Sequence, residues 1–355
     1  MPPARRPLLR RQFLQLGAVG AAALAARSFD SRPVLSGPVA GTPGPMQAPL
    51  RLALISDLNS SYGSTSYVPQ VQRGVDLLQS LAPDLVICAG DMVAGQKAGL
   101  DAGQLDAMWR SFGRQVLDPL LNRGIPFVPA MGNHDASSSQ SQGRYLFALD
   151  RQRAERFWTA QRTRLGLNLQ AGAAFPFRYS LVHGDVFILV LDASSASLGA
   201  DQRRWAQQQL ASAAARQARL RLVIGHLPLY AVSQGRDRPG EVLHRPGEVL
   251  QLLENGQVNL YVSGHHHAYF PSRVGRLNLL SLGAMGSGPR RLLQSSQSQG
   301  QTLTLLELPA GGSELIDTTY SLNSLSPLDP AVLPGQLQPS AGPSLPRRSP
   351  RIPLA

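Results

Sequence analysis

The chain predicts an α/β fold in which helices cover a sheet on both faces. Short apolar runs alternate with stretches whose apolar residues recur at helical spacing, the pattern of strands joined by helices. The apolar runs are bounded by Gly, Pro, Asp and Asn, residues that punctuate strands. With 43% hydrophobic and 16% charged residues in 355, the chain can also bury a substantial core.

The elements follow in order. Residues 50–56 (LRLALIS) form a short apolar run and read as a strand. A helix is predicted around 67–81, where Val68, Val71, Val75 and Leu78 recur at helical spacing. Strand 84–90 (DLVICAG), a helix near 103–122 and strand 125–132 (IPFVPAMG) complete the first half. In the second half, residues 177–194 read as a hairpin turning at His183-Gly184-Asp185. The helix of 201–217 precedes strand 220–225, and a long loop leads to a helix near 246–255. Strand 258–264 follows, and segments 269–282 and 302–309 read as further strands.

The flanks differ in kind. Residues 1–27 carry a basic start, an apolar run from Phe13 to Ala26 and small residues near Ala23-Leu24-Ala25, as an export signal does. Arg10-Arg11-Gln12-Phe13-Leu14 resembles a twin-arginine signal, which implies the twin-arginine machinery as a partner and an exported, periplasmic location. If uncleaved, the segment would serve as a membrane anchor. Residues 28–48, rich in Pro, Gly and Ser, read as a linker, 49–310 as the globular domain, and the Pro-rich 311–355 as a largely disordered tail. Cys88 is the single cysteine, so no internal disulfide forms and the thiol reads as a small buried strand residue.

The net charge of +12 raises the question of an anionic partner. Arg5, Arg6, Arg10 and Arg11 lie in the signal, and Arg347, Arg348 and Arg351 lie in the tail. Much of the excess is therefore outside the domain, and no stable nucleic-acid partner is expected.

Five apolar strands end in residues able to bind a metal. They are Asp57, Asp91, the Asn133-His134-Asp135 run, His226, and His265 and His267. In open α/β sheets, ligands bind beyond the carboxyl ends of the strands. Carboxylate, amide and imidazole donors suit ions such as Zn, Fe, Mn or Co, and the absence of cysteine donors argues against a structural zinc cluster. Two ions joined by a carboxylate can activate water while clamping a phosphate.

The order Asp57, Gly90-Asp91, Gly132-Asn133-His134-Asp135, Gly225-His226, Gly264-His265-His266-His267 resembles the calcineurin-like metallophosphoesterases over roughly residues 50–310. The resemblance implies a four-layer α/β/β/α sandwich with two mixed sheets flanked by helices. It also implies hydrolysis of phosphoric esters, whether mono- or diesters, by two divalent or trivalent ions (Mn, Fe or Zn) and an activated hydroxide. Carried over by position, Asp91 would bridge the ions. Asp57 and His267 would hold one, and Asn133, His226 and His265 the other. His134 would contact the phosphate and protonate the leaving oxygen, with Asp135 orienting its imidazole.

In extended backbone alternate side chains point to opposite sides, so His266 should face away from the ions. One block departs from the family: Asp-x-His becomes Asp57-Leu58-Asn59, where Asn59 offers an amide oxygen in place of an imidazole. The purple acid phosphatase subgroup places a tyrosine three residues after the bridging Asp; that position is Ala94 here, which speaks against the subgroup. The 228–248 loop, with Tyr230, Arg236, Arg238, His244 and Arg245, is the expected region of contact with a phosphorylated small-molecule or other phosphoester substrate. Asn59 leaves a second class open, a degenerate binding protein with one metal or none; the intact His134 argues for the enzyme.

Overall fold

The computed structural model describes residues 49–354; the expected export signal and the linker through residue 48 lie outside the described residues. Strand β1 (Leu50–Ile55) alternates its side chains between two cores. Leu52 and Leu54 enter one, while Ala53 and Ile55 enter the other, as period-two geometry requires. Helix α1 (Pro69–Leu81) lays Val71, Val75 and Leu78 on the second core. Strand β2 (Leu85–Cys88) splits like β1, and Cys88 is buried as expected. Helix α2 (Ala102–Phe112) opens with a capping box between Asp101 and Gln104. It continues through a wide turn at Gly113–Leu117 into α3 (Asp118–Leu121), where Pro119 lacks the N–H a regular helix needs. Strand β3 (Phe127–Pro129), helix α4 (Asn133–Ala136), a small hairpin of β4 (Gln140–Ser141) and β5 (Arg144–Tyr145), and helix α5 (Ala148–Gln161) follow.

The second half begins with the expected hairpin, β6 (Tyr179–His183) and β7 (Val186–Val190). Then come α6 (Ala200–Leu210), α7 (Ala213–Gln217), β8 (Leu220–Ile224), α8 (Pro246–Asn255) and β9 (Leu260–Ser263). Strands β10 (Phe270–Val274), β11 (Leu277–Ser281) and β12 (Thr302–Leu308) complete the predicted set. Beyond it lie β13 (Glu314–Ser321), β14 (Gln336–Leu337), β15 (Leu345–Pro346) and β16 (Arg351–Pro353).

Two six-stranded mixed sheets result, ordered β16-β13-β12-β1-β2-β3 and β10-β11-β9-β8-β7-β6. One core fills the space between the sheets and continues under α6 and α8 through Trp205, Leu210, Val249 and Leu253. The other joins the first sheet to α1, α2 and α5 through Leu78, Trp109, Phe112 and Trp158. This is the four-layer α/β/β/α sandwich. Each fully buried leucine here contributes about 1.5–3 kcal/mol of transfer free energy. Strands β1, β2 and β3 run parallel, as do β7, β8 and β9, so each trio delivers its carboxyl ends to one edge of its sheet.

The tail corrects the sequence reading. Residues 311–355 were expected to be largely disordered, yet β13 pairs with β12 and β16 pairs with β13, both antiparallel. Composition concealed this because the inward face of β13 carries Leu315, then Asp317, Thr319 and Ser321. Its polar groups find partners: Thr319 and Thr304 hydroxyls lie 2.7 Å apart, and the buried Asp317 carboxylate pairs with Arg348. Breaking a buried pair from one side strands the other charge. Arg348→Ala is therefore expected to cost about 3–5 kcal/mol in urea unfolding, with the double change Arg348→Leu, Asp317→Leu recovering much of it. A loss below about 1 kcal/mol in the single variant would match an exposed pair, and would refute this account.

Candidate metal centre

The loops after β1, β2, β3, β8 and β9 are stitched together by their backbones. Asp57 N–H donates to the Gly90 carbonyl at 2.9 Å, and Leu58 N–H to the Asp91 carbonyl at 2.8 Å. Gly264 N–H donates to the His226 carbonyl at 3.0 Å, joining the two loops of the second sheet, and Gly286 N–H reaches the Asp57 carbonyl at 2.8 Å. Four residues in these turns are non-glycines with positive φ: Asp57 (53°), Asp91 (57°), His265 (65°) and His267 (51°). Such backbone costs about 1–3 kcal/mol per residue and persists where the surroundings over-determine it. The strain is spent on aiming these side chains at one point.

Close approach of backbone to carboxylate explains two glycines. A Cβ on Gly132 would lie 2.1 Å from Asp91 Oδ1, and one on Gly264 would lie 2.6 Å from Asp57 Oδ2. Any other residue at either position would displace a carboxylate.

Two groups of potential ligands result, Asp91 with His226 and His265, and Asp57 with Asp91 and His267. Within each, the ligand atoms lie within 4.8 Å of one another. Asp91 belongs to both. Asp57 and Asp91 are buried at 0% and 1% exposure, and among the described residues no Lys or Arg pairs with either. Burial pushes the Asp57 carboxyl up, but His267 and His226 reverse this and hold it low. Asp91 behaves likewise, with burial opposed by His226 and His134.

Each imidazole is anchored through one ring nitrogen. His226 sets Nδ1 2.7 Å from the Ala89 carbonyl, so Nδ1 carries the proton and Nε2 faces Asp91 at 3.2 Å. Burial lowers this imidazole, but the Asp91 carboxylate raises it to about 9. His267 repeats the arrangement, with Nδ1 2.9 Å from the Gly288 carbonyl and Nε2 3.1 Å from Asp57. His265 is held by Nε2, which lies 2.9 Å from Glu241 Oε2, leaving Nδ1 for the cluster. Its backbone N–H donates to both Asp57 oxygens at 3.1 and 3.0 Å. Burial first, then the neighbouring His226 and Arg236, brings it down to about 4 despite Glu241. Asn133 turns Oδ1 toward His226 Nε2 at 3.0 Å while its amide donates to Gln96 at 2.6 Å.

Of the three consecutive histidines, the middle one points elsewhere. His266 is fully buried and faces the other way, accepting from Val232 N–H at Nδ1 (3.2 Å) and donating from Nε2 to the Glu241 carbonyl (3.0 Å). Burial, helped by His265, drives it down to about 3, so it is a neutral tie for the 232–241 segment.

Asp135 departs from its expected role. It does not orient His134: its carboxylate accepts backbone N–H bonds from Asp91 (2.8 Å), Met92 (2.8 Å), Val93 (3.0 Å) and Gly132 (2.9 Å). It fixes the turn that carries Asp91 instead. Burial and the Asp91 charge push its carboxyl up to about 7, while the N–H donors pull the other way. The His134 ring is steered by the Gly95 carbonyl, 3.2 Å from Nδ1, and its backbone N–H donates to Asp91 Oδ1 at 2.8 Å. Tyr62, assigned no role from sequence, packs its ring 4.9 Å from that imidazole.

Asn59 is buried beside Asp57, with its backbone N–H 3.2 Å from the Asp91 carbonyl. Ala94 is likewise buried. A cleft of about 1280 Å³ opens over Asn133, His134 and His265. Of the loop residues expected to contact substrate, Arg236, Arg238 and His244 line it. Tyr230 is instead buried in the core between the sheets, and Arg245 stands exposed at the N-terminus of α8 with no side-chain capping bond. Sequence reasoning missed Glu241 and Gln96, which hold His265 and Asn133 from outside any recognisable motif.

The donor set fits two metal ions. Residues 50–269 match the family model described as calcineurin-like phosphoesterase. No curated protein matches the chain. Among solved structures, a purple acid phosphatase from yellow lupin (Lupinus luteus) seeds is 16% identical with a TM-score of 0.63, covering 80% of this chain and 53% of its own. The chain thus spans about half the length of the lupin protein. GAP50, the anchor in the inner membrane complex of Plasmodium, is 14% identical with a TM-score of 0.51, covering 85% and 90%. At these identities the likeness is one of fold.

Proposed function

This chain belongs to the calcineurin-like phosphoesterases, and on that premise we propose that it hydrolyses phosphoric esters with two metal ions bound in the strand-end cluster. The observation that carries this reading is the sharing of Asp91 by two groups of potential ligands, buried except for the half-buried His267. Asp57, Asp91, His267 and Asn59 would hold one ion, and Asp91, Asn133, His226 and His265 the other. When bound, the pair would supply Lewis acidity toward the phosphoryl oxygens and lower the pKa of water. His134, held by Gly95 at the cleft wall, would carry a proton at Nε2 for the leaving oxygen. Gln96, Glu241 and Asp135 would hold Asn133, His265 and the Asp91 turn in place. The N-terminal signal supports export to the periplasm by the twin-arginine route. The test is metal analysis of the purified protein together with hydrolysis of p-nitrophenyl phosphate and bis(p-nitrophenyl) phosphate. Bound metal without turnover of either ester would favour a binding protein.

The two positions should differ in affinity. The Asp57 group offers one imidazole, whereas the other offers two, and the oxygen-rich position suits a harder ion such as Mn. Added Mn should raise the activity of protein as isolated, and Asn59→His should reduce that dependence. Two ions that both survive dialysis in the parent protein would contradict this.

A further inference from the structure

We infer that Arg236, Arg238 and Arg290 form a site for a second anionic group on the substrate, beyond the phosphate that reacts. This deepens the hydrolase reading and rests on it for the word substrate. Three guanidinium groups line the same cleft, and two of them, Arg236 and Arg238, share one carboxylate, Glu241. That carboxylate is already saturated: Oε2 meets Arg236 at 2.5 Å and His265 at 2.9 Å, and Oε1 meets Arg238 at 2.9 Å. Asp237, in the same loop, is turned away and accepts from Ser340 of the tail at 2.7 and 2.8 Å. Arg290 pairs with no carboxylate among the described residues. Its Nε and that of Arg236 are buried with no acceptor.

The planar guanidinium fork matches phosphate and carboxylate oxygens in pairs. The cluster can therefore receive an anion. Its place indicates which one. Arg236 Nη1 lies 3.2 Å from His265 Nε2, the ring atom left over once Nδ1 serves the cluster. The imidazole thus stands between Arg236 and the ion position. Arg290 is anchored close by, its backbone N–H donating to the His267 carbonyl at 3.0 Å, and a Cβ on Gly235 would lie 3.5 Å from its Nη1. The cations face a group attached to the reacting phosphate, not that phosphate itself.

The test is calorimetric binding of non-hydrolysable ligands to the Mn-loaded protein. Alkane-α,ω-bisphosphonates of three to six carbons are compared with the alkyl monophosphonates of the same length. At the best length, the bisphosphonate should bind about tenfold or more tightly than its partner, the worth of one charge-assisted contact. That ratio should collapse toward unity in Arg290→Gln and be partly restored in Arg290→Lys, with circular dichroism confirming that both variants fold. Equal affinities in the parent at every length, or a ratio unchanged in both Arg290→Gln and Arg236→Gln, would overturn the inference. Turnover of p-nitrophenyl phosphate is read separately, so a failure of hydrolysis and a failure of the second site are distinct results.

Discussion

Asp91→Ala is expected to empty both metal positions and to lower phosphoester turnover by at least about 10³-fold, because bound metals supply several kcal/mol to such reactions. Asp91 is the residue common to both ligand groups, so its loss cannot be confined to one ion. Asp57→Ala should release one ion and leave the His226 position filled. Asp91→Asn is the informative intermediate. It keeps an oxygen for the His134 N–H, now 2.8 Å from Oδ1, and removes only the charge. Metal analysis of the three variants decides the matter: loss of a single ion in both alanine variants would show that Asp91 does not serve as the bridge.

His134→Ala should lower turnover by about 10²–10⁴-fold, the usual worth of general acid–base help, while metal content stays at the parent's level. The imidazole lies at the cleft with Nδ1 bound to the Gly95 carbonyl, and its Nε2 is 3.9 Å from the nearest Asp91 oxygen. It belongs to neither ligand group. Its backbone N–H holds Asp91, and alanine keeps that bond. A variant that lost its metals would place His134 among the ligands instead. Asp135→Asn addresses a different function: with four backbone N–H donors on its carboxylate, the change should disturb the Asp91 turn and reduce metal retention.

The strand ends were legible because each candidate ligand follows an apolar run directly, and sequence adjacency to a strand fixes position well. The supporting groups were not. Glu241 reaches His265 across 24 residues, and nothing local to either residue announces the contact. The family resemblance implied that Asp135 orients His134, but the turn of α4 points its carboxylate back to the Asp91 backbone. Helix α5 escaped notice because it is polar around much of its circumference. Its Asp150 and Arg151 are nonetheless buried, Asp150 accepting from Gln96 N–H at 2.8 Å and Arg151 pairing with Asp192 at 2.8 Å. The tail escaped for a related reason, since β13 buries polar side chains that only a distant partner satisfies.

The placement of β1 bears on how the chain is made. Among the described residues it is the first strand in sequence, yet it sits in the middle of its sheet between β2 and β12. The second of those partners begins at Thr302, roughly 250 residues later, and at about 5–20 residues per second the ribosome takes roughly 10–50 seconds to reach it. Throughout that interval one edge of Leu50–Ile55 is an open row of backbone donors and acceptors, available to any other strand. The sheet is complete only once β12, β13 and β16 have been made and paired.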